Sequence, residues 1–444
     1  MRHMNKINSE GSAIVILMLL TLVTIIVSVS VGNLLIPVGL AYAIGFMILT
    51  WHRLDIALGI ILVLAPWVQD VSGGGGYAKF SAAELHIFMI AIVSVAKVIL
   101  SRQLFSIGKL TGPVLLYMGL SAVSAYQGGI EREDIIALFQ TGIFCFILPF
   151  LFMERNLTPT SQRNILLIAA CSTVALGIFQ IVAGPKAFAL GIHKNNMGQG
   201  MAAGLSLWLC AWFDSSKGWW SKGVIPAIAI VTIALIFTLS RGAWVGAASA
   251  LFALAIIYGR VQLLLRASLV IVPLIVVMWT YLPKDDQEYA SSFDRQKYDN
   301  IEARYANFDR TSALIKSSPI IGHGISIRKQ LDATNLVMVT LAEGGILGFV
   351  MLIIALGTYF VIVFRVVRLI PHSDPRFMIV AASCAVMVSR LGHAQFDHYW
   401  VRGASTIAWA SVGMVLAIER SVSASRRQPS LRMTESVQSE RLTV

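Results

Sequence analysis

A series of long apolar runs, separated by short polar segments, limits what this chain can fold into. The runs fall at residues 12–31, 33–51, 54–69, 83–101, 109–127, 133–153, 163–183, 197–213, 223–240, 242–259, 264–282, 344–365, 377–393 and 403–419. Most approach the roughly 20 residues that a helix needs to cross a bilayer. Because 57% of the residues are hydrophobic and only 13% are charged, the composition excludes an ordinary soluble protein. The sequence predicts an all-α polytopic membrane protein with about 12–14 transmembrane helices.

The distribution of Lys and Arg predicts the orientation of these helices. If the N-terminus is cytoplasmic, each short cytoplasmic connection carries at least one basic residue, as the positive-inside rule requires. Both termini then lie in the cytoplasm. The net charge of +12 reflects this orientation, and it does not require a nucleic-acid partner.

Composition divides the chain into four regions. Residues 1–282 form the N-terminal transmembrane region, and residues 283–343 form a large outer loop whose polar sequence predicts short exposed helices. Residues 344–420 form the last three transmembrane helices. The Ser- and Arg-rich residues 421–444 predict a disordered cytoplasmic tail. The four cysteines lie in apolar runs without metal-ligand or redox spacing, and they are interpreted as packing residues.

An arginine interrupts the apolar sequence "LIFTLSRGAWVG" (Leu235–Gly246), between two predicted spans. Arg241 could place its charge among the lipid headgroups while its stem stays in the apolar layer. Alternatively it binds an anionic group, since the planar guanidinium donates two parallel hydrogen bonds to a phosphate. Charges at a membrane-embedded site are functional candidates by default, which favours the second interpretation.

Other polar residues are predicted on the same outer face. Lys194 lies in "GIHKNNMGQG" (Gly191–Gly200), where a helix begins and Asn195 or Asn196 could provide the cap. The segment "SRLGHAQFDHYWVRG" (Ser389–Gly403) combines two arginines, two histidines and an aspartate with aromatic residues that suit an interface or a sugar. The candidates in this segment are Arg390, His393, His398, Trp400 and Arg402.

Three motifs in order resemble the superfamily of O-antigen ligases and Wzy-type polysaccharide polymerases. The first is the Ser-Arg-Gly of "LIFTLSRGAWVG". The second, "RYANFDRTSALIKSSPIIGHGI" (Arg304–Ile325), is similar to an outer-loop pattern of an Arg, an amphipathic helix and a Pro-x-x-Gly-x-Gly turn. The third, "TNLVMVTLAEGGILGFV" (Thr334–Val350), resembles the His-Asn-x-x-Leu…Glu-x-Gly-x-x-Gly stretch of the family.

The resemblance implies a metal-independent glycosyltransferase of the bacterial inner membrane that needs no cofactor. Its donor is a glycan on polyprenyl (undecaprenyl) pyrophosphate at the periplasmic face, and its acceptor is a sugar hydroxyl. Cations must stabilise the leaving pyrophosphate, and a base must accept the hydroxyl proton. The predicted binding residues are Lys194, Arg241, Arg304, Asn335, Arg390, Trp400 and Arg402. Arg241 also counts among the catalytic candidates, and those for the base are Glu343, His323, His393 and His398.

Glu343 is expected to begin an apolar helix, where partial burial would raise its pKa or where it would stabilise the helix N-terminus. His323, between two glycines, is a base candidate or only a turn residue. Where the ligases carry a histidine before the Asn, this chain has Thr334, which cannot act as a base near pH 7.

This departure favours a polymerase of exopolysaccharide or O-antigen over a ligase that transfers glycan to lipid A–core. A secondary transporter or a flippase is the third alternative, disfavoured because charges are sparse at mid-depth of the spans. The partners expected besides donor and acceptor are membrane lipids, and a chain-length regulator or flippase.

Overall fold

The computed structural model describes residues 35–68, 80–101, 108–127, 129, 132–153, 157–214, 222–292, 299–329, 335–396 and 405–441 of the chain. Within these ranges the regular secondary structure is helical, which confirms the predicted all-α class. The predicted first span, 12–31, and the four glycines Gly73–Gly76 lie outside the described residues. Each of the other predicted spans coincides with a helix.

The helices are numbered in chain order. The first five are α1 (Leu35–His52), α2 (Leu54–Leu64), α3 (Ala82–Ser101), α4 (Thr111–Gln127) and α5 (Arg132–Gly142, continued by a π-helical segment, Ile143–Ile147, and by Leu148–Phe152). The next five are α6 (Pro159–Ala183), α7 (Lys194–Phe213), α8 (Val224–Phe237), α9 (Arg241–Tyr258) and α10 (Gln262–Tyr281). The last five are α11 (Lys284–Ser291), α12 (Asp299–Ser317), α13 (Leu336–Leu369), α14 (Pro375–His393) and α15 (Thr406–Arg441).

Eight helices of the described chain are long and apolar enough to cross a membrane: α3, α5, α6, α9, α10, α13, α14 and α15. Three further apolar helices in the described ranges are shorter than these spans, and they lie at Val38–His52 (in α1), Leu54–Leu64 (α2) and Val224–Phe237 (α8). The most deeply buried helices include α7 and α14, whose small residues allow close helix contacts. In contrast, α10 exposes apolar side chains such as Leu269, Val276 and Tyr281, and so it is suited to face lipid.

The polar region after α10 contains the short helices that its sequence predicts, α11 and α12. The following helix begins earlier than we predicted, at Leu336 instead of near residue 344. The reason is a local cap, since the Asn335 side chain accepts a hydrogen bond from the Met338 backbone N–H at 2.8 Å.

The last helix also extends beyond its predicted end. It continues to Arg441 and occupies most of the segment for which composition predicted disorder. An already formed helix adds one hydrogen bond for each further residue except Pro429, which has no backbone N–H, and Arg, Gln and Glu are good helix formers.

Candidate active site at the ends of α7, α9, α13 and α14

Arg241 is the first residue of α9 and follows a tight turn that connects α8 to α9. Leu239 in this turn has a left-handed backbone (φ 49°), and Ser240 precedes the first residue of α9. The indole of Trp244 donates a hydrogen bond to the Leu235 carbonyl at 3.0 Å, which closes the turn. The half-buried Arg241 side chain donates to the carbonyl oxygen of Ser292 at 2.7 Å. The guanidinium is therefore held against the segment after α11.

The glycine of the Ser-Arg-Gly motif allows α9 to touch the end of α14. A Cβ atom at Gly242 would lie 2.7 Å from Cδ2 of His393 and 2.9 Å from Cβ of Phe396. Farther along, a Cβ at Gly246 would lie 2.5 Å from the carbonyl oxygen of Ser389. The motif thus brings Arg241 next to two residues of the predicted late segment. We call this end of the bundle, where α7, α9 and α13 begin and α14 ends, the site end.

Arg390 supports the site from inside the protein. Its side chain is only 2% exposed, and its Nη1 donates to Oε1 of Gln199 on α7 at 3.1 Å. The same atom lies 3.1 Å from Nδ1 of His393. Because a guanidinium can only donate, Nδ1 accepts, and the proton of a neutral His393 ring is assigned to Nε2. This arrangement suits His393 as a hydrogen-bond donor at Nε2, beside Gly242, better than as a base at that atom.

Lys194 begins α7 and contacts a tyrosine of α11. Its Nζ donates to the hydroxyl of Tyr289 at 2.6 Å and lies 4.5 Å from the ring centroid. The cap of α7 differs from our prediction, because the Nδ1 of His193 accepts the backbone N–H of Asn195 at 3.3 Å. Lys194, the first residue of α7, extends towards α11.

Arg304, on α12, completes a cluster of positive charge. Its guanidinium donates to the carbonyl oxygen of Phe396, just after α14. Its charge acts on both Arg241 and His393, so the three side chains share one region. Asn335 is next to them, because the adjacent Leu336 N–H donates to the Ala394 carbonyl at 2.8 Å. We define the cation cluster as Lys194, Arg241, Arg304 and Arg390.

The other two motifs meet in a different place, at a break in α13. Gly345 has a left-handed backbone (φ 59°). The Pro-x-x-Gly-x-Gly segment packs against α13 at this break. The N–H of Ile346 donates to Pro319 O at 2.9 Å, and the N–H of Gly324 donates to Glu343 O at 2.9 Å. The turn therefore supplies hydrogen-bond partners for a helix segment that has lost its own.

Glycine is required on both sides of this contact. A Cβ at Gly322 (φ 80°) would lie 2.4 Å from the backbone of Glu343, and one at Gly345 would lie 2.2 Å from the backbone of Ile320. Glu343 is 5% exposed. We expected it at the start of an apolar helix, but it lies inside α13, which begins at Leu336. Eight residues separate it from Asn335, which corresponds to about 12 Å along the helix.

His323 stabilises the same turn. Its backbone N–H donates to Ala342 O at 2.9 Å. The ring nitrogen Nε2 lies 2.9 Å from the Ser317 hydroxyl and 3.0 Å from the Leu314 carbonyl at the end of α12. These contacts give His323 a structural role in the turn.

Three site candidates from the sequence, His398, Trp400 and Arg402, lie outside the described residues, and so does Thr334. In the part of the chain that the structure describes, no group of three or more His, Cys, Asp or Glu side chains could hold a metal ion. Sequence reasoning missed Gln199, Tyr289 and Lys186, whose Nζ lies 4.2 Å from the Tyr289 ring centroid. Lys186 shows the signal that identified Lys194, a basic residue in a short connection at the site end.

Comparison with known proteins gives three results. A family model described as O-Antigen ligase (Wzy_C) matches residues 226–353, which contain all three motifs. A solved structure, described as "Structural coordination of polymerization and crosslinking by a peptidoglycan synthase complex", is 16% identical to this chain. It aligns with 70% of this chain and 97% of its own, with a TM-score of 0.42. No curated protein matches the chain. Residues 226–353 of this multi-pass membrane protein thus match the O-antigen ligase family, which confirms the resemblance that the three motifs predicted.

Proposed function

We propose that this protein is a polysaccharide polymerase of the bacterial inner membrane. It transfers a glycan from polyprenyl diphosphate to an acceptor sugar hydroxyl at the periplasmic face. The acceptor oxygen forms a bond to the anomeric carbon, the bond from that carbon to the diphosphate breaks, and polyprenyl diphosphate leaves. The hydroxyl proton passes to a base.

The observation that supports this proposal best is the convergence of Lys194, Arg241 and Arg304 from α7, α9 and α12. Negative charge develops on the leaving diphosphate, and preorganised cations stabilise it more in the transition state than in the ground state. Arginine adds paired hydrogen bonds, and lysine adds a compact charge. In this role His393 donates from Nε2, and Arg390 keeps its ring in place.

Glu343 is the base in our proposal. Of the described candidates, His323 already uses its Nε2 in the turn, and His393 accepts from Arg390 at Nδ1. Helical side chains lean towards the helix N-terminus, and for Glu343, two turns into α13, this is the direction of the site end.

The acceptor distinguishes the polymerase from the ligase. Thr334, in place of the ligase histidine, favours a polymerase, in which the acceptor is a second lipid-linked glycan. The description of the matching family, O-Antigen ligase, favours the alternative acceptor, lipid A–core.

A reconstituted assay tests the proposal. Full-length protein in liposomes receives a polyprenyl-diphosphate-linked repeat unit, either alone or with lipid A–core. We expect longer glycans and released polyprenyl diphosphate without lipid A–core. Product only on lipid A–core would identify a ligase, and no release of polyprenyl diphosphate with either acceptor would contradict both functions.

A further inference from the structure

Backbone strain marks the two connections that carry the site lysine and arginine. Among the described residues, the non-glycine residues with positive φ are Lys186 (57°), Leu190 (52°) and Leu239 (49°). The first two lie between α6 and α7, and the third lies between α8 and α9. Such conformations cost on the order of 1–3 kcal/mol each, and they persist where the surrounding structure enforces them, often at functional sites.

Lys186 joins these two connections. Its backbone N–H donates to the carbonyl oxygen of Phe237, the last residue of α8, at 2.9 Å. This bond holds the strained Lys186 backbone beside the turn that precedes Arg241. The side chain of Lys186 is consequently directed towards α11.

Tyr289 gathers two lysines on one ring. The ammonium of Lys186 lies 4.2 Å from the ring centroid, and that of Lys194 lies 4.5 Å from it. A cation over an aromatic face is attracted by the negative face of the ring. Lys194 also donates to the hydroxyl, and Lys186 forms an ion pair with Asp286 at 2.6 Å.

The surroundings of Tyr289 are strongly positive. Burial alone would raise the pKa of its hydroxyl, but the hydrogen bond from Lys194 and the charges of Lys194, Arg241 and Lys186 outweigh burial and lower the pKa. The carboxylate of Asp286 forms an ion pair with Lys186. The field that favours a phenolate also favours a bound anion with several negative charges.

We infer that Lys186 is a further binding residue for the diphosphate and that Tyr289 is a positioning residue that holds Lys186 beside Lys194. This inference rests on the proposed function, which supplies the diphosphate. The lysine pair binds one phosphate group while Arg241 binds the other. An ammonium has three donors, so Lys186 can keep its bond to Asp286 and still donate to a phosphate oxygen.

The test measures the binding of farnesyl diphosphate and farnesyl monophosphate to full-length protein in nanodiscs. A hydrogen bond to a charged group contributes about 1.5–3 kcal/mol, so we expect Lys186→Met to weaken diphosphate binding about tenfold or more. Monophosphate binding should change little, because one phosphate group can use Arg241. Lys186→Arg should restore most of the affinity for diphosphate. The matched control is Lys284→Met, which removes an exposed lysine at the start of α11.

Variants of Tyr289 test the positioning role. Tyr289→Leu removes the ring and the hydroxyl, which contact both Lys186 and Lys194, and it should lower the preference for diphosphate at least as much as Lys186→Met does. The double variant should bind no more weakly than Tyr289→Leu alone, because Lys186 has already lost its position in that variant. Tyr289→Phe keeps the ring and should lose less affinity than Tyr289→Leu.

The outcomes separate the inference from the proposed function. If the wild-type protein does not prefer diphosphate to monophosphate, the proposed function fails. If it does and Lys186→Met binds diphosphate like the wild type or like Lys284→Met, only the inference fails. Additive losses in the double variant would contradict the positioning role of Tyr289. If Lys186→Met does not fold, equal affinities of wild type, Tyr289→Phe and Tyr289→Leu would overturn the inference.

Discussion

Two arginines at the site end have different surroundings and therefore different roles. Arg390 is 2% exposed and bonded to Gln199 and His393, so its removal would leave buried polar groups without their donor. Arg241 is half-buried, and its guanidinium donates to a backbone carbonyl, that of Ser292. A phosphate oxygen can replace that carbonyl at little cost. Arg241 is thus the better residue with which to test anion binding, and Arg390 the better one with which to test stability.

Substitution of Arg241 tests whether the guanidinium binds the leaving group. Removing one preorganised donor from a developing charge costs about 2.7–4 kcal/mol, or roughly a hundred- to thousandfold in rate. We expect Arg241→Ala to lose nearly all chain extension and Arg241→Lys to lose most of it, because lysine lacks the paired donors. The measurement is the length profile of the polysaccharide in a deletion strain complemented with each variant. Arg260→Lys, at an exposed position just beyond the opposite end of α9, is the matched control.

Equal membrane levels of all Arg241 variants must accompany this result. Wild-type profiles from both Arg241→Ala and Arg241→Lys would show that Arg241 only anchors α9 in the headgroup layer.

Substitution of Glu343 tests the base. Glutamine keeps the shape of the side chain and leaves the backbone contacts of Glu343 with the turn intact, but it cannot accept the acceptor proton. We expect Glu343→Gln to bind donor normally and to lose transfer, measured as release of polyprenyl diphosphate from the reconstituted protein. Near-normal release would limit Glu343 to a structural role in the break of α13 and would direct attention to His398.

The break in α13 shows how two separate motifs form one structural unit. Helix α13 is interrupted at Gly345, and the segment Pro319–Gly324 binds there through backbone hydrogen bonds. Both sides approach so closely that a single added carbon would overlap with backbone atoms. Backbone cannot move away like the end of a flexible side chain, so the contact depends on glycine at both positions.

Alanine at these glycines should destabilise the protein. Gly322→Ala and Gly345→Ala each place a Cβ within 2.4 Å of backbone atoms and force a left-handed φ on alanine. A strained conformation alone costs on the order of 1–3 kcal/mol, and the overlap adds to it. We expect a lower Tm in detergent for both variants. Gly348→Ala, in the same helix with no atom within 4 Å of the added carbon, should keep the wild-type Tm. Equal Tm values for all three variants would contradict the close backbone contact.

Helix positions followed from the sequence better than tertiary contacts did. Apolar runs located the spans because burial in lipid imposes their length and composition. The start of α13 was missed because the cap at Asn335 is local chemistry that an apolar average does not detect. The convergence of Lys194, Arg241, Arg304 and Arg390 was expected from residue type. The pairing of Gly322 with Glu343 was not, because such contacts depend on three-dimensional packing that no spacing encodes.

At the scale of the whole molecule, a group of basic residues marks the end of the helix bundle that lies opposite to the site end. Basic residues Arg260, Arg266, Arg365, Arg368 and Arg376 lie around the ends of helices opposite to the site end. The positive-inside rule predicts that this opposite end faces the cytoplasm. If it does, the site end faces the periplasm, and Lys194, Arg241 and Arg304 of the cation cluster would lie near the lipid headgroups of the outer leaflet.

A topology measurement tests this orientation. Helix α13 separates Asn300, in α12, from Ser373, in the connection to α14. The part of α13 after its break, residues 346–369, corresponds to about 36 Å of helix, longer than the roughly 30 Å of a bilayer core, so we expect the two positions to lie on opposite sides. We expect alkaline phosphatase to be active when fused after Asn300 and inactive after Ser373, and green fluorescent protein to show the reverse pattern. If phosphatase were active only after Ser373, the cation cluster would face the cytoplasm and could not act on a donor presented at the periplasmic face.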